Sequence, residues 1–124
     1  MKYISTDKAP KAVGPYTQAI VSNGFIFCSG QIGLNPKTNE LVKGLNAQTH
    51  QVLKNLTEVL KAENSSLEHV VKTTIYLADI GDYSKMNEIY TEYFSDHKPA
   101  RAAFAVAHLP KGALIEIEAI AQVK

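Results

Sequence analysis

A chain of 124 residues, 45% of them hydrophobic, is long enough to bury a core of its own without disulfide or metal staples and too short for a second domain, so one domain over residues 1–124 is expected. Its 13 Lys and Arg against 12 Asp and Glu leave a net charge of +1, which excludes the basic footprint of a nucleic-acid binder or of a protein held on an anionic membrane. The single cysteine, Cys28, excludes an internal disulfide; with no signal-like apolar run in residues 1–8 and no apolar stretch near the roughly 20 residues of a membrane span, the expected location is the cytoplasm.

In chain order, residues 16–21 and 25–29 read as strands paired through Asn23-Gly24, a dipeptide that favours a tight hairpin turn. Gly30, Gly33 and Pro36 are expected to close that ladder into a loop. From Asn46, the expected cap, the apolar positions Val52, Leu53, Leu56, Val59 and Leu60 recur at the spacing of one helical face. After a polar turn at 63–66, residues 69–78 read as a strand with Val71, Thr73, Ile75 and Leu77 on one face. Asp82 is the expected cap of a second helix, whose Tyr83, Met86, Tyr90, Tyr93 and Phe94 form a stripe read as core. Pro99 stops that helix, and strands over 101–106 and 114–123 follow, separated by Leu109-Pro-Lys-Gly112. The order is ββ-α-β-α-ββ, an α+β pattern in which two helices cover one face of a sheet.

Alternation in the last two strands assigns Phe104, Val106, Ile115, Ile117 and Ala119 to the helix-covered face. Arg101, Ala103, Ala105, Leu114, Glu116, Glu118 and Ile120 then fall on the other, half apolar and half charged, which suggests contact with another subunit. Arg101, Glu116 and Glu118 are the candidate site residues, because charges in apolar strands carry a desolvation cost unless they pair or bind something. The planar fork of Arg101 matches a carboxylate, and a partly desolvated glutamate has its pKa raised toward proton exchange, a combination suited to hydrolysis of a small organic acid. The competing reading is a salt bridge from Arg101 to Glu116 or Glu118 across neighbouring strands.

Other chemistries lack support. His50, His69, His97 and His108 show no short metal-ligand spacing, so no metal is expected. Cys28 reads as a small buried hydrophobe rather than a nucleophile. There is no G-x-S-x-G elbow, and Gly30-Gln-Ile-Gly33 is too short for a dinucleotide fingerprint.

Five segments, Gly14-Pro-Tyr-Thr-Gln-Ala19, Ser29-Gly-Gln-Ile32, Asn87-Glu-Ile-Tyr90, Pro99-Ala-Arg101 and Ile115-Glu-Ile-Glu-Ala119, together resemble the RidA family, formerly called YjgF. The resemblance implies a chorismate mutase-like fold with one mixed six-stranded sheet and two helices on one face. It further implies a homotrimer with ligand sites between subunits. The implied activity is hydrolysis of reactive enamines and imines, chiefly 2-iminobutanoate and 2-iminopropanoate released by pyridoxal phosphate enzymes, to 2-oxo acids and ammonia, with no cofactor. Carried over position by position, Arg101 anchors the substrate carboxylate, Glu116 orients water, and Tyr16 helps close the site. Ser29 and Asn87 lie near the cleft, and Ala103 stands where many members have a pocket-lining cysteine, which leaves the site roomier and less polar. Glu118 takes no family role and is expected to pair at an interface. The expected partners are small 2-imino or 2-oxo acids and further copies of the chain, with no nucleic acid and no membrane. The alternative is a non-catalytic 2-oxo-acid-binding regulatory trimer; Glu116 speaks against it, because an acidic group near a bound carboxylate weakens simple capture.

Overall fold

The computed structural model describes residues 1–124 throughout and consists of a six-stranded mixed sheet with two α-helices. The strands are β1 (Lys2–Ile4), β2 (Ala19–Ser22), β3 (Phe25–Ile32), β4 (Val70–Leu77), β5 (Ala100–Ala105) and β6 (Ile115–Gln122), arranged in space as β1-β2-β3-β6-β4-β5. The helices are α1 (Leu45–Lys61) and α2 (Tyr83–Tyr93), and neither is long and apolar enough to cross a membrane. All pairings are antiparallel except β4 with β5, which α2 joins as a crossover.

The β2–β3 hairpin turns at Asn23 (φ 53) and Gly24 (φ 83), two left-handed residues in succession as a tight hairpin turn requires. Strand β1, only three residues long, is too short to carry an alternation signal, and its Tyr3 pairs with Ile20. Strand β3 continues through Gly30, where a loop was expected. Cys28 pairs with Ala119 and Gln31 with Ile117, so Ser29 and Gly30 together oppose the single Glu118 as a bulge, and the ladder survives the glycine. The chain leaves the sheet only at Gly33, where a Cβ would lie 2.8 Å from the α-carbon of Gln48 on α1.

Val52, Leu53, Leu56, Val59 and Leu60 of α1 are all buried, as their spacing predicts. The expected cap at Asn46 is not made: the helix starts after Gly44 (φ 89), which reaches a backbone angle denied to residues with a Cβ, and Asn46 lies inside the helix. Asp82 precedes α2 but caps nothing with its side chain; Asp79 instead accepts from the Gly81 amide at 2.8 Å, one short 3₁₀ turn earlier. Met86, Tyr90 and Phe94 are buried along the expected stripe, while Tyr83 at its start is exposed.

Two face assignments are corrected. A bulge between Val70 and Lys72 makes Val71 the extra residue against β6, so Val70 enters the core and Val71 turns outward; Thr73, Ile75 and Leu77 keep the expected face. On β6 the alternation holds, with Ile115, Ile117, Ala119 and Ala121 buried under the helices. On β5 it is inverted: the parallel register sets Arg101 beside Thr73, Ala103 beside Ile75 and Phe104 beside Tyr76. Arg101, Ala103 and Ala105 therefore share the helix side, while Phe104, 45% exposed, shares the open face with Glu116. An edge strand poor in large apolar residues does not need its one aromatic side chain in the core, and its parity follows its neighbour.

Candidate active site

Glu116 and Glu118 project from the open face of β6. Across that face Ile32, Glu116, Tyr76 and Phe104 form one row, and Phe27, Ile120 and Lys72 another. The Glu116 carboxyl sits directly over Gly30, where any Cβ would collide with Oε2, so the glycine is what lets this side chain lie against β3. Burial, and then the charge of Glu118, push the Glu116 pKa above the ordinary glutamate value. Neither carboxylate has an ion-pair partner; the three ion pairs are Lys2–Glu63, Lys61–Glu58 and Lys85–Glu88. Tyr76, beside them on β4, is also raised, by burial and by the two glutamates.

These carboxylates open into a cleft of about 610 Å³ whose wall includes Tyr16, Ser29, Gly30 and Lys111. Ser29 Oγ donates to the Thr17 carbonyl at 2.6 Å, which leaves its oxygen able to accept from a ligand. Gly14, at φ 147, makes the turn that carries Tyr16 to the rim, where the residue is 52% exposed. The buried Gln18 fixes the segment on the other side: its Nε2 donates to Pro10 O at 2.8 Å and its Oε1 accepts from Thr6 N at 2.7 Å. A second, more apolar cavity of about 670 Å³ shares Tyr16 and Ser29 with the cleft and extends over Tyr3, Ile20 and Phe27.

Arg101 lies elsewhere, on the helix side of the edge strand. Its Nη1 donates to Asn87 Oδ1 at 2.7 Å and its Nη2 to the Tyr83 hydroxyl at 2.6 Å. Its guanidinium carbon stands 4.9 Å from the Tyr90 ring centroid and 5.6 Å from that of Tyr83. No carboxylate touches it. A salt bridge to Glu116 or Glu118 across neighbouring strands is therefore overturned within the chain, since β4 separates β5 from β6 and the charges point to opposite faces.

One chain thus keeps the candidate residues in two separate groups. Tyr16, Ser29, Glu116 and Glu118 meet in the cleft, Arg101 and Asn87 meet at the β5 edge beside Ala103, and the two groups do not touch. Sequence reasoning missed Tyr83, Tyr90 and Gly30. The first two are legible only as residues four before and three after Asn87 on one helix face, and a glycine inside a strand signals the third. Cys28 is buried, and that burial pushes its thiol up to about 12, far from a nucleophile. Three histidines serve structure: His50 meets the Tyr93 hydroxyl at 2.7 Å, His69 meets Ser66 Oγ at 3.0 Å, and His97 meets the Val70 carbonyl at 2.6 Å. No three His, Cys, Asp or Glu side chains converge as a metal-ligand set.

Comparison with known proteins gives this geometry its context. Residues 6–123 match the family model described as Endoribonuclease L-PSP. A RutC family protein of Pyrococcus horikoshii is 55% identical over 119 residues, covering 95% of this chain and 94% of that protein. A Homo sapiens protein named 2-iminobutanoate/2-iminopropanoate deaminase is 52% identical over 121 residues, covering 97% and 88%. Among solved structures, RidA from the Antarctic bacterium Psychrobacter sp. matches with a TM-score of 0.97 at 43% identity, over 99% of this chain and 100% of that one.

Proposed function

Because the chain belongs to the Endoribonuclease L-PSP family, also known as YjgF/RidA, we propose that it hydrolyses reactive enamines and imines, chiefly 2-iminobutanoate and 2-iminopropanoate, to 2-oxo acids and ammonia. The observation that carries the reading is Glu116, a half-buried carboxyl with no ion-pair partner and a raised pKa at the wall of a ligand-sized cleft. A protein that merely captured a 2-oxo acid would bind it more weakly for having two carboxylates in that cleft. A hydrolase needs such a group to hold and deprotonate water.

The active assembly in this proposal is a homotrimer in which the Arg101 side of one subunit meets the Glu116 cleft of the next. The reading is supported by an open sheet face that leaves Phe27 and Phe104 each 45% exposed, and by the separation of the two groups in a single chain. Arg101 takes the substrate carboxylate with those of its five N–H groups that Asn87 and Tyr83 leave free. Glu116 orients a water beside the imine carbon and accepts a proton as the water oxygen bonds to that carbon. Glu116 passes that proton to the nitrogen, giving the neutral carbinolamine, then takes the proton of its hydroxyl and delivers it to the nitrogen as the carbon–nitrogen bond breaks, releasing ammonia and the 2-oxo acid. One water is consumed and no net proton. Ser29 Oγ accepts from the imine N–H, Tyr16 closes the rim, and Ala103 leaves the wall near the anchor small and apolar.

The test generates 2-iminobutanoate in situ with a threonine dehydratase and follows its loss against trapping by semicarbazide. Wild-type protein should accelerate hydrolysis, Arg101→Ala should abolish the acceleration, and Glu116→Ala should greatly reduce it. An unchanged rate with wild-type protein would sink the deaminase reading and leave a 2-oxo-acid-binding module as the better description.

A further inference from the structure

The guanidinium of Arg101 is held by groups that no catalytic role has yet required. Tyr83, Asn87 and Tyr90 occupy successive turns of one face of α2. The first two accept hydrogen bonds from different terminal nitrogens, and Tyr90 lies beneath the guanidinium. Tyr90 is itself fixed, because its buried hydroxyl lies 2.8 Å from Oγ1 of Thr73, the residue paired with Arg101 on β4. Every one of these partners is neutral. Acidic partners would fix the side chain equally well but would cancel the charge that a ligand must find, whereas amide and phenol oxygens leave it whole.

We infer that Tyr83 and Tyr90 are positioning residues that hold Arg101 in one orientation, with its charge unspent and one face covered, so that an anionic ligand is received in the plane of the fork. The inference rests on the function proposed above and concerns how that site recognises its substrate. A free arginine on an edge strand samples many rotamers and loses that freedom on binding; one already clamped loses little. Because the carboxylate is held alike in the ground state and the transition state, loosening the clamp weakens substrate binding far more than it slows the bond-making step.

The experiment compares full-length wild type with Tyr83→Phe, Tyr90→Leu and Tyr90→Phe, reading KM and kcat for 2-iminobutanoate, calorimetric Kd for 2-oxobutanoate, and the melting temperature. Tyr83→Phe, which removes one oxygen from an exposed ring, should raise KM and Kd about tenfold with kcat within about threefold. Tyr90→Leu should do the same, and Tyr90→Phe, which keeps the ring under the cation, should recover to within about threefold of wild type. The inference is overturned if Tyr83→Phe leaves KM and Kd within about twofold of wild type, or lowers kcat alone. Should Tyr90→Leu fail to fold, Tyr83→Phe decides. A wild type that binds 2-oxobutanoate but hydrolyses nothing defeats the deaminase reading while the Kd series still judges the clamp; a wild type that does neither defeats both.

Discussion

The two faces of strand β6 show how a single run of eight residues divides stability from chemistry. Ile115, Ile117, Ala119 and Ala121 point beneath α1 and α2, where they are almost wholly removed from water. Glu116 and Glu118, one position away, point to an uncovered surface shared with Phe104 and Phe27. The covered face of β6 has no charge to desolvate and gains by burial alone, whereas the open face keeps two like charges close together and partly dry, at a cost in stability. Such a cost is expected where a site needs a carboxyl that binds protons more tightly than usual.

If the faces divide labour in this way, neighbouring substitutions should act in opposite senses. The largest expected loss of stability is at the covered face: Ile117→Ala should lower unfolding free energy by about 2–5 kcal/mol in urea titrations, with turnover per folded molecule nearly unchanged. A comparable loss of activity would break the division. Glu116→Gln, its neighbour, should remove most catalysis and yet stabilise the fold. Its carboxyl is held above the ordinary 4.5 in the folded state, so the stability it contributes is present below about that pH and lost as pH rises through the raised value. The variant escapes that loss, and its melting temperature should exceed wild type at neutral pH, with the difference vanishing in acid.

Gly30→Ala should cost about a hundredfold in kcat/KM with little loss of stability, because the added Cβ displaces the Glu116 carboxyl while the bulge itself needs no special backbone angle. A fully active Gly30→Ala protein would mean that Glu116 is not held where hydrolysis requires it. The smallest effect sharpens the picture: Glu118→Gln removes the like charge beside Glu116, so the rising acid limb of kcat/KM should move to lower pH with the plateau largely kept. A limb that stays in place would show that Glu118 does not set the proton affinity of its neighbour.

The legibility of these elements in the sequence followed the strength of their local signals. Helix α1 carried a buried face of five residues at helical spacing, and β6 carried strict alternation, so both could be read directly. The Asn23-Gly24 turn was equally plain. Strand β1 was too short to show any period. The bulges at Ser29-Gly30 and Val71 each added one residue and shifted parity, which alternation alone does not register. The helix caps were misread: a positive backbone angle at Gly44 starts α1, and α2 has no side-chain cap, Asp79 capping only the 3₁₀ turn that precedes it.

Arg101 shows where that reading ends. Its presence among alanines in a strand marked it as a site residue, because no apolar environment tolerates an unpaired guanidinium without a partner or a ligand. Which face it occupied, and that Tyr83, Asn87 and Tyr90 would meet it, depended on the parallel register between β4 and β5 and on the path of α2 between them. Composition, periodicity and motif spacing determined an α+β chain with a hydrophobic layer, two carboxylates and an arginine available for chemistry. Tertiary structure alone decided that the carboxylates and the arginine face apart, because strand pairing between residues distant in sequence, not alternation within a strand, fixes which side of a sheet each residue takes.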